Sequence, residues 1–157
     1  MFSDKTGACT VLEAFRAIVE LKIPLNVVCT VAIVENSIGE NAFRVSDIIQ
    51  SYKGLTVEIL NTDAEGRLIL ADAMSYTQHN FKVDVMIELS TLTGAVKSAI
   101  GSEQAGLFTN CKLLAKSMKK LSKLTNEEFC KLPLTDEFRG NVKYVIFCIQ
   151  KRNLWRP

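Results

Sequence analysis

Apolar and polar positions alternate along this chain in two different rhythms. Between residues 11 and 21, Val11, Leu12, Phe15, Ile18, Val19 and Leu21 recur at the i, i+3, i+4 spacing of one helix face, and Pro24 stops the pattern. Leu25 to Val34 is then almost continuously apolar and β-branched, which predicts a strand covered on both faces. A polar turn with a glycine follows at 35–41. Short strands are expected over Asp47–Gln50 and Leu55–Leu60, separated by Lys53-Gly54. Good helix formers fill 67–77, and a further buried strand is expected over Val83–Leu89. Ala95–Ile100 reads as a short helix closed by Gly101, Gly106–Thr109 as a strand, and Leu113–Phe129 as a long amphipathic helix ended by the Leu132-Pro133 region. Tyr144–Ile149 is a last strand candidate.

Strands alternating with helices, and no recognised hairpin turn, predict an α/β fold: a three-layer α/β/α sandwich around a mainly parallel sheet. At 157 residues the chain is long enough for one domain with its own core. Residues 1–140 are assigned to that domain and 141–157, ending in the basic stub Lys151–Pro157, to a divergent C-terminal tail.

Composition narrows the function classes. A net charge of +2 with lysines and arginines scattered among acids argues against a nucleic-acid surface. The lysines of 112–123 alternate with apolar residues and read as the wet face of a helix. No apolar run approaches the roughly 20 residues of a membrane span. Five cysteines form no C-x-x-C pair, and four lie in apolar runs, as small buried hydrophobes do. With no signal peptide, a reduced cytoplasmic protein is expected. The single histidine, His79, excludes a His-rich zinc site and is expected at a helix C-terminus, facing the negative end of the dipole.

The candidate chemistry lies in Asn61–Leu68, NTDAEGRL, where a strand-like run leads into two carboxylates, a glycine and an arginine ahead of a helix. In an extended loop Asp63 and Glu65, two residues apart, would project the same way. With a third carboxylate they would suit hard divalent ions in a two-metal hydrolase arrangement. Arg67 would hold a small anion or stabilise developing negative charge. Taken alone a D-x-E pair is weakly specific, since acid pairs are commonly just solvated. The spaced acids of an EF-hand are absent, and a glycosidase pair normally comes from separate strands.

NTDAEGRL also resembles the signature octapeptide of the leucine aminopeptidase (cytosol aminopeptidase) family of two-metal exopeptidases. Other segments keep the family's order: Met1-x-x-Asp4-x-x-Gly7-Ala8, Glu35-Asn36, Ser90–Ala95 (STLTGA), Gly106–Asn110 (GLFTN) and Leu132-Pro133-Leu134. The resemblance implies that Asp4, Asp63 and Glu65 ligate metal and that Arg67 binds a bicarbonate-like anion acting as proton shuttle. It implies that Met1, Thr91, Leu92 and Gly94 line the substrate cleft. The implied cofactors are two divalent ions, Mn or Zn and possibly Mg. The implied substrates are peptides losing an N-terminal residue, often leucine, to a metal-activated water, in an assembly that is usually a hexamer.

Departures from the family pattern are equally visible. Its K-G-x-x-x-D-[ST]-G-G-type segment, which supplies a lysine and an aspartate to the metals, and the catalytic lysine after it have no counterpart here. Val45-Ser46 stands where the family usually has Pro-Gly, and the S-D-x-A-D-x-x-N run expected after Gly140 is missing. The chain is therefore expected to be inactive alone, either a partial enzyme or a non-catalytic module of the same fold.

Overall fold

The computed structural model describes residues 5–135 and the backbone of 150–151. Met1, Asp4, the expected strand Tyr144–Ile149 and all but two residues of the 141–157 tail lie outside the described residues. The chain divides into two compact units, one of residues 1–82 with 89–92, the other of 83–88 with 93–157.

In the first unit, α1 (Thr6–Glu20) is the predicted helix. Its half-buried Ala8, Val11, Phe15 and Ile18 trace one face at helical spacing, while Leu12 and Val19 from the same apolar stripe remain exposed. The helix ends at a residue of positive φ, Lys22 at 51°, whose N–H reaches Val19 O (3.0 Å) while Ile23 N–H reaches Ile18 O (3.1 Å). This is a left-handed helix termination with the proline just beyond it. Gly7 is buried at the start of α1, and a Cβ there would lie 2.4 Å from Ser90 Cα and 2.6 Å from Leu89 O. Only glycine lets the helix backbone approach the 89–90 backbone this closely.

The strand expected over Leu25–Val34 is not realised as a ladder. The segment is without regular structure, and among the described residues no backbone group from Asn26 to Val34 enters a backbone–backbone hydrogen bond. Its tie to the rest of the unit is the 2.9 Å hydrogen bond between the hydroxyls of Thr30 and Thr77, the latter also donating to Ala73 O at 2.7 Å.

Next come β1 (Ile48–Gln50) and β2 (Thr56–Glu58), both at predicted positions, but paired antiparallel as a hairpin. The turn signal read there only as a separator closes it. Gly54 adopts φ +84°, Ser51 N–H donates to Leu55 O (2.8 Å), and Leu55 N–H donates to the Ser51 hydroxyl (3.1 Å). Beyond the ladder, Ile59 N–H bonds Asp47 O (2.8 Å) and Ser46 N–H bonds Ile59 O (2.7 Å), and Ile59 is buried at 2% exposure. Ser46 holds φ +76°, a conformation glycine adopts without strain, at the position where the resembling family carries its Pro-Gly. A 3-10 turn (Thr62–Ala64) and α2 (Glu65–Asn80) complete the unit. His79 sits in the last turn of α2 as expected, its ring edge-on to Tyr52 with centroids 6.1 Å apart.

In the second unit, β3 (Val85–Met86) pairs antiparallel with β6 (Gln150–Lys151). Helix α3 (Gly94–Ile100) ends at Gly101, φ +82°, as the sequence predicts. Strand β4 (Gln104–Leu107), helix α4 (Lys112–Thr125) and β5 (Glu128–Lys131) form a βαβ unit whose strands pair in parallel, Gly106 opposite Cys130. Leu132 N–H extends the ladder to Leu107 O at 3.0 Å. The helix expected to run to Phe129 stops earlier because Asn126 takes the left-handed conformation (φ 58°), releasing Phe129 and Cys130 into β5. All five lysines of α4 are exposed, whereas Leu114, Met118 and Ser122 are half-buried, so the wet-face reading of 112–123 holds. Among the described residues Ile59 and Leu107 are the buried apolar side chains, and no helix is long and apolar enough to cross a membrane. The fold is α/β, with one parallel and two antiparallel ladders among the described residues.

Candidate active site

The NTDAEGRL loop is built by local hydrogen bonding where the hairpin ends and α2 begins. Asn61 is extended (φ −153°, ψ 121°), and its side-chain oxygen accepts the Asp63 N–H at 2.9 Å, an Asx turn that starts the 3-10 segment. From the polar 35–41 segment Asn36 donates its side-chain amide to Thr62 O at 3.2 Å. These two asparagines position the acidic residues. Both lie inside motifs quoted from the sequence, where they had no positioning role assigned, although an Asn-x-Asp pattern before a helix is a recognisable Asx-turn signal.

The loop is not extended at the carboxylates. Asp63 lies in the 3-10 turn and Glu65 is the first residue of α2. Successive side chains there rotate by about 100–120° per residue, so the period-two argument for projecting both carboxylates one way does not apply. A different cause favours acids at this place: the positive end of the α2 dipole and its unsatisfied N–H groups attract negative charge. Asp63 is exposed and Glu65 half-buried. Among the described residues neither carboxylate accepts a hydrogen bond or forms an ion pair, so their oxygens are not consumed by structural partners. Arg67 follows in the first turn of α2, half-buried and engaged by a neighbour.

Two further expected residues fall in the same unit. Leu92 is half-buried and its Cδ1 stands 3.1 Å from where a Cβ on Gly66 would be, so the glycine between Glu65 and Arg67 leaves room for the leucine side chain. Thr91 is exposed beside it, one residue from the Leu89–Ser90 backbone on which Gly7 packs. The structure thus brings Asp63, Glu65, Arg67 and Leu92 into one neighbourhood. Gly94 belongs to the other unit, where it opens α3 with open space at its Cβ position. Met1 and Asp4 are outside the described residues.

The donor set fits a hard divalent ion in kind, since both groups are carboxylates with oxygens to spare. It falls short in number: no group of three or more His, Cys, Asp or Glu side chains that could hold a metal occurs among the described residues. Of the cysteines, Cys29 beside Thr30 has its thiol pKa pushed up by burial, which disfavours the thiolate.

Known proteins are similar to this chain in sequence and in shape. Residues 1–152 match the family model described as cytosol aminopeptidase family, catalytic domain. A protein of Fusobacterium nucleatum named "Probable cytosol aminopeptidase" is 43% identical over 143 residues, covering 91% of this chain and 30% of its own. One of the same name from Cenarchaeum symbiosum is 44% identical over 140 residues, covering 89% of this chain and 29% of its own. Among solved structures, the apo leucyl aminopeptidase of Trypanosoma brucei superposes with TM-score 0.83 at 32% identity, over 96% of this chain and 31% of that one. A mutant of tomato leucine aminopeptidase superposes with TM-score 0.75 at 34% identity, over 91% and 28%. The chain spans less than a third of the length of these relatives. With its acidic loop, its fold and nearly its whole length matched, this chain belongs to the cytosol aminopeptidase family and corresponds to sequence of its catalytic domain.

Proposed function

We propose that the chain carries one part of a two-metal aminopeptidase site, acting on the N-termini of peptides, and that it does not turn over substrate by itself. The observation that carries this reading is the NTDAEGRL loop at a strand-to-helix junction, with both carboxylates free of structural partners among the described residues. Family membership supports the reaction class.

In this reading Asp4, Asp63 and Glu65 hold divalent ions, Mn or Zn and possibly Mg. When bound, such ions would polarise the scissile carbonyl and lower the pKa of a water at the site. Arg67, permanently charged, holds a bicarbonate-like anion within reach of the reacting groups for proton transfer. Leu92, against Gly66, forms an apolar wall for the substrate with Thr91 beside it, while lining roles for Gly94 and Met1 rest on the family resemblance alone. Asn61 and Asn36 fix the loop so that the carboxylates need no reorganisation on metal entry. The site would operate in the cytoplasm within a homo-oligomer, a hexamer in the resembling family, with residues 1–140 as catalytic-domain sequence and 141–157 as a divergent tail.

The test is hydrolysis of leucine p-nitroanilide by the purified chain with Mn²⁺ and Zn²⁺ titrated, beside Asp63→Ala. No turnover from folded protein is expected. Metal-dependent turnover abolished by Asp63→Ala would show a self-sufficient site and overturn the claim of incompleteness. Metal-dependent turnover that survives Asp63→Ala would remove Asp63 from the ligand set. A non-catalytic module of the same fold is the second reading, favoured by the two-carboxylate count among the described residues.

A further inference from the structure

The two amphipathic helices α1 and α4 treat charge in opposite ways. On α1 the signs are mixed and paired, with Arg16 3.3 Å from Glu13 and 2.9 Å from Glu20. Helix α4 carries five lysines and no acid between Lys112 and Thr125. At 100° per residue Lys112, Lys116, Lys119, Lys120 and Lys123 fall within about 100° of the helix circumference, along about 16 Å of its length. Among the described residues none of their side chains enters an ion pair or hydrogen bond. The next acids in the chain, Glu127 and Glu128, follow the helix end, and Glu128 accepts the Gln104 amide at 2.9 Å. Like charges four residues apart repel along α4, and Lys112 stands in the first turn, at the positive end of the dipole. A face that only had to stay wet would be more stable with mixed signs, as on α1.

The strip beside the lysines is apolar and open. Leu113 is 71% exposed, Leu124 72% and Leu121 48%. On the remaining side Leu114, Met118 and Ser122 are half-buried, where α4 packs on β5. An open cleft of about 280 Å³ lies among Lys116, Lys119, Lys120 and Lys123, so an anionic group there would meet four ammonium groups at once.

We propose that the exposed face of α4 docks on an anionic lipid bilayer. The lysines engage the headgroups, and Leu113 and Leu124 enter the boundary between headgroups and acyl chains. The leucines decide the occupant. A nucleic acid is drawn to positive charge, but residues 112–125 hold no arginine for bidentate contacts and no aromatic ring for stacking, and exposed leucines gain little there. An acidic protein that wraps a helix needs its whole circumference, and one side of α4 is taken by its own unit. A flat anionic surface needs a single face. The association is peripheral, since no helix among the described residues is long and apolar enough to cross a membrane. The inference uses no residue of the NTDAEGRL loop and is independent of the catalytic reading.

Co-sedimentation of the purified chain with phosphatidylcholine vesicles containing about 30% phosphatidylserine, beside vesicles of phosphatidylcholine alone, tests this. Binding to the anionic vesicles is expected to be at least about tenfold the stronger at about 0.1 M salt, and to be largely lost at about 1 M, where charge is screened within about 3 Å. The triple variant Lys116→Gln, Lys120→Gln, Lys123→Gln should weaken it about 100-fold, because each lysine near such a surface contributes roughly fivefold. The double variant Leu113→Gln, Leu124→Gln should weaken it about tenfold or more. Both variants change exposed side chains, so the thermal melt followed by circular dichroism should stay as in the parent chain.

Equal binding to neutral and anionic vesicles, or binding to neither, would overturn the proposal. So would anionic-vesicle binding that both variants retain, which would place the surface outside α4. Binding lost in the lysine variant and kept in the leucine variant would make α4 a general polyanion surface and overturn the lipid assignment. Equal affinity for a double-stranded DNA oligonucleotide would overturn it in the same way.

Discussion

Two apolar, β-rich stretches of this chain have opposite fates. Gln104–Leu107 and Glu128–Lys131 pair in parallel through a crossover helix, and Leu107 is 7% exposed in the result. Leu25–Val34 is longer and more hydrophobic, yet among the described residues it makes no ladder and leaves Ile33 77% exposed. The difference lies in partners and not in propensity. β4 meets its partner about twenty residues later, delivered by α4, whereas among the described residues no strand reaches Leu25–Val34. High β-propensity describes a surface that fits a sheet; it does not make one.

The largest test of this contrast is truncation in the two stretches. Leu107→Ala should cost about 2–5 kcal/mol, since it empties a buried site on the paired strand. Ile33→Ala should stay within about 0.5 kcal/mol in the chain alone, as for other exposed positions. Urea unfolding followed by circular dichroism measures both. Similar losses at the two sites would mean that Leu25–Val34 is already packed in solution.

Gly7→Ala should cost about 1–3 kcal/mol or more, because its Cβ would collide with the rigid backbone at Leu89 and Ser90 and not with a yielding side chain. The same melts check this. A cost near zero would show that α1 and the 89–92 segment, which lead into Thr91 and Leu92, are not held together. Within the acidic loop, Asn61→Ala should cost about 1 kcal/mol by freeing the Asp63 N–H. A drop in metal affinity larger than the stability loss would tie that turn to the ligands, and calorimetric Mn²⁺ titration reads it.

The smallest effect concerns Cys29 inside the unpaired stretch. Its raised pKa means less thiolate at any given pH, so half-maximal iodoacetamide alkylation should fall at a higher pH than for a small-molecule thiol. Mass spectrometry after a pH series measures this. Alkylation at the pH of the free thiol would mean that the 29–31 stretch is more open than the Thr30–Thr77 contact implies.

Much of the site was legible in the sequence because it is contiguous. Asp63, Glu65 and Arg67 fall within one octapeptide, and their place at a strand-to-helix junction follows from the change of hydrophobic period on either side. The family itself was legible from ordered motifs, and the match over residues 1–152 bears that out. How the carboxylates are presented was not legible, since an Asx turn through Asn61 replaced the expected extended loop with a 3-10 turn. Nor was the end of α4, where a single left-handed Asn126 outweighed an apolar pattern that continued at helical spacing through Phe129.

The sequence by itself determined the local elements: helices α1, α2 and α3, the Gly101 stop, the hairpin strands, and the chemistry of NTDAEGRL. These depend on near neighbours, where periodicity, capping and turn residues act within a few positions. Only the tertiary structure decided which strands pair and in which direction, why residue 7 has to be glycine, and that Leu92 lies against Gly66. Those outcomes depend on segments far apart in the chain meeting at backbone distance, and no local pattern of apolar and polar residues encodes which distant segment will arrive.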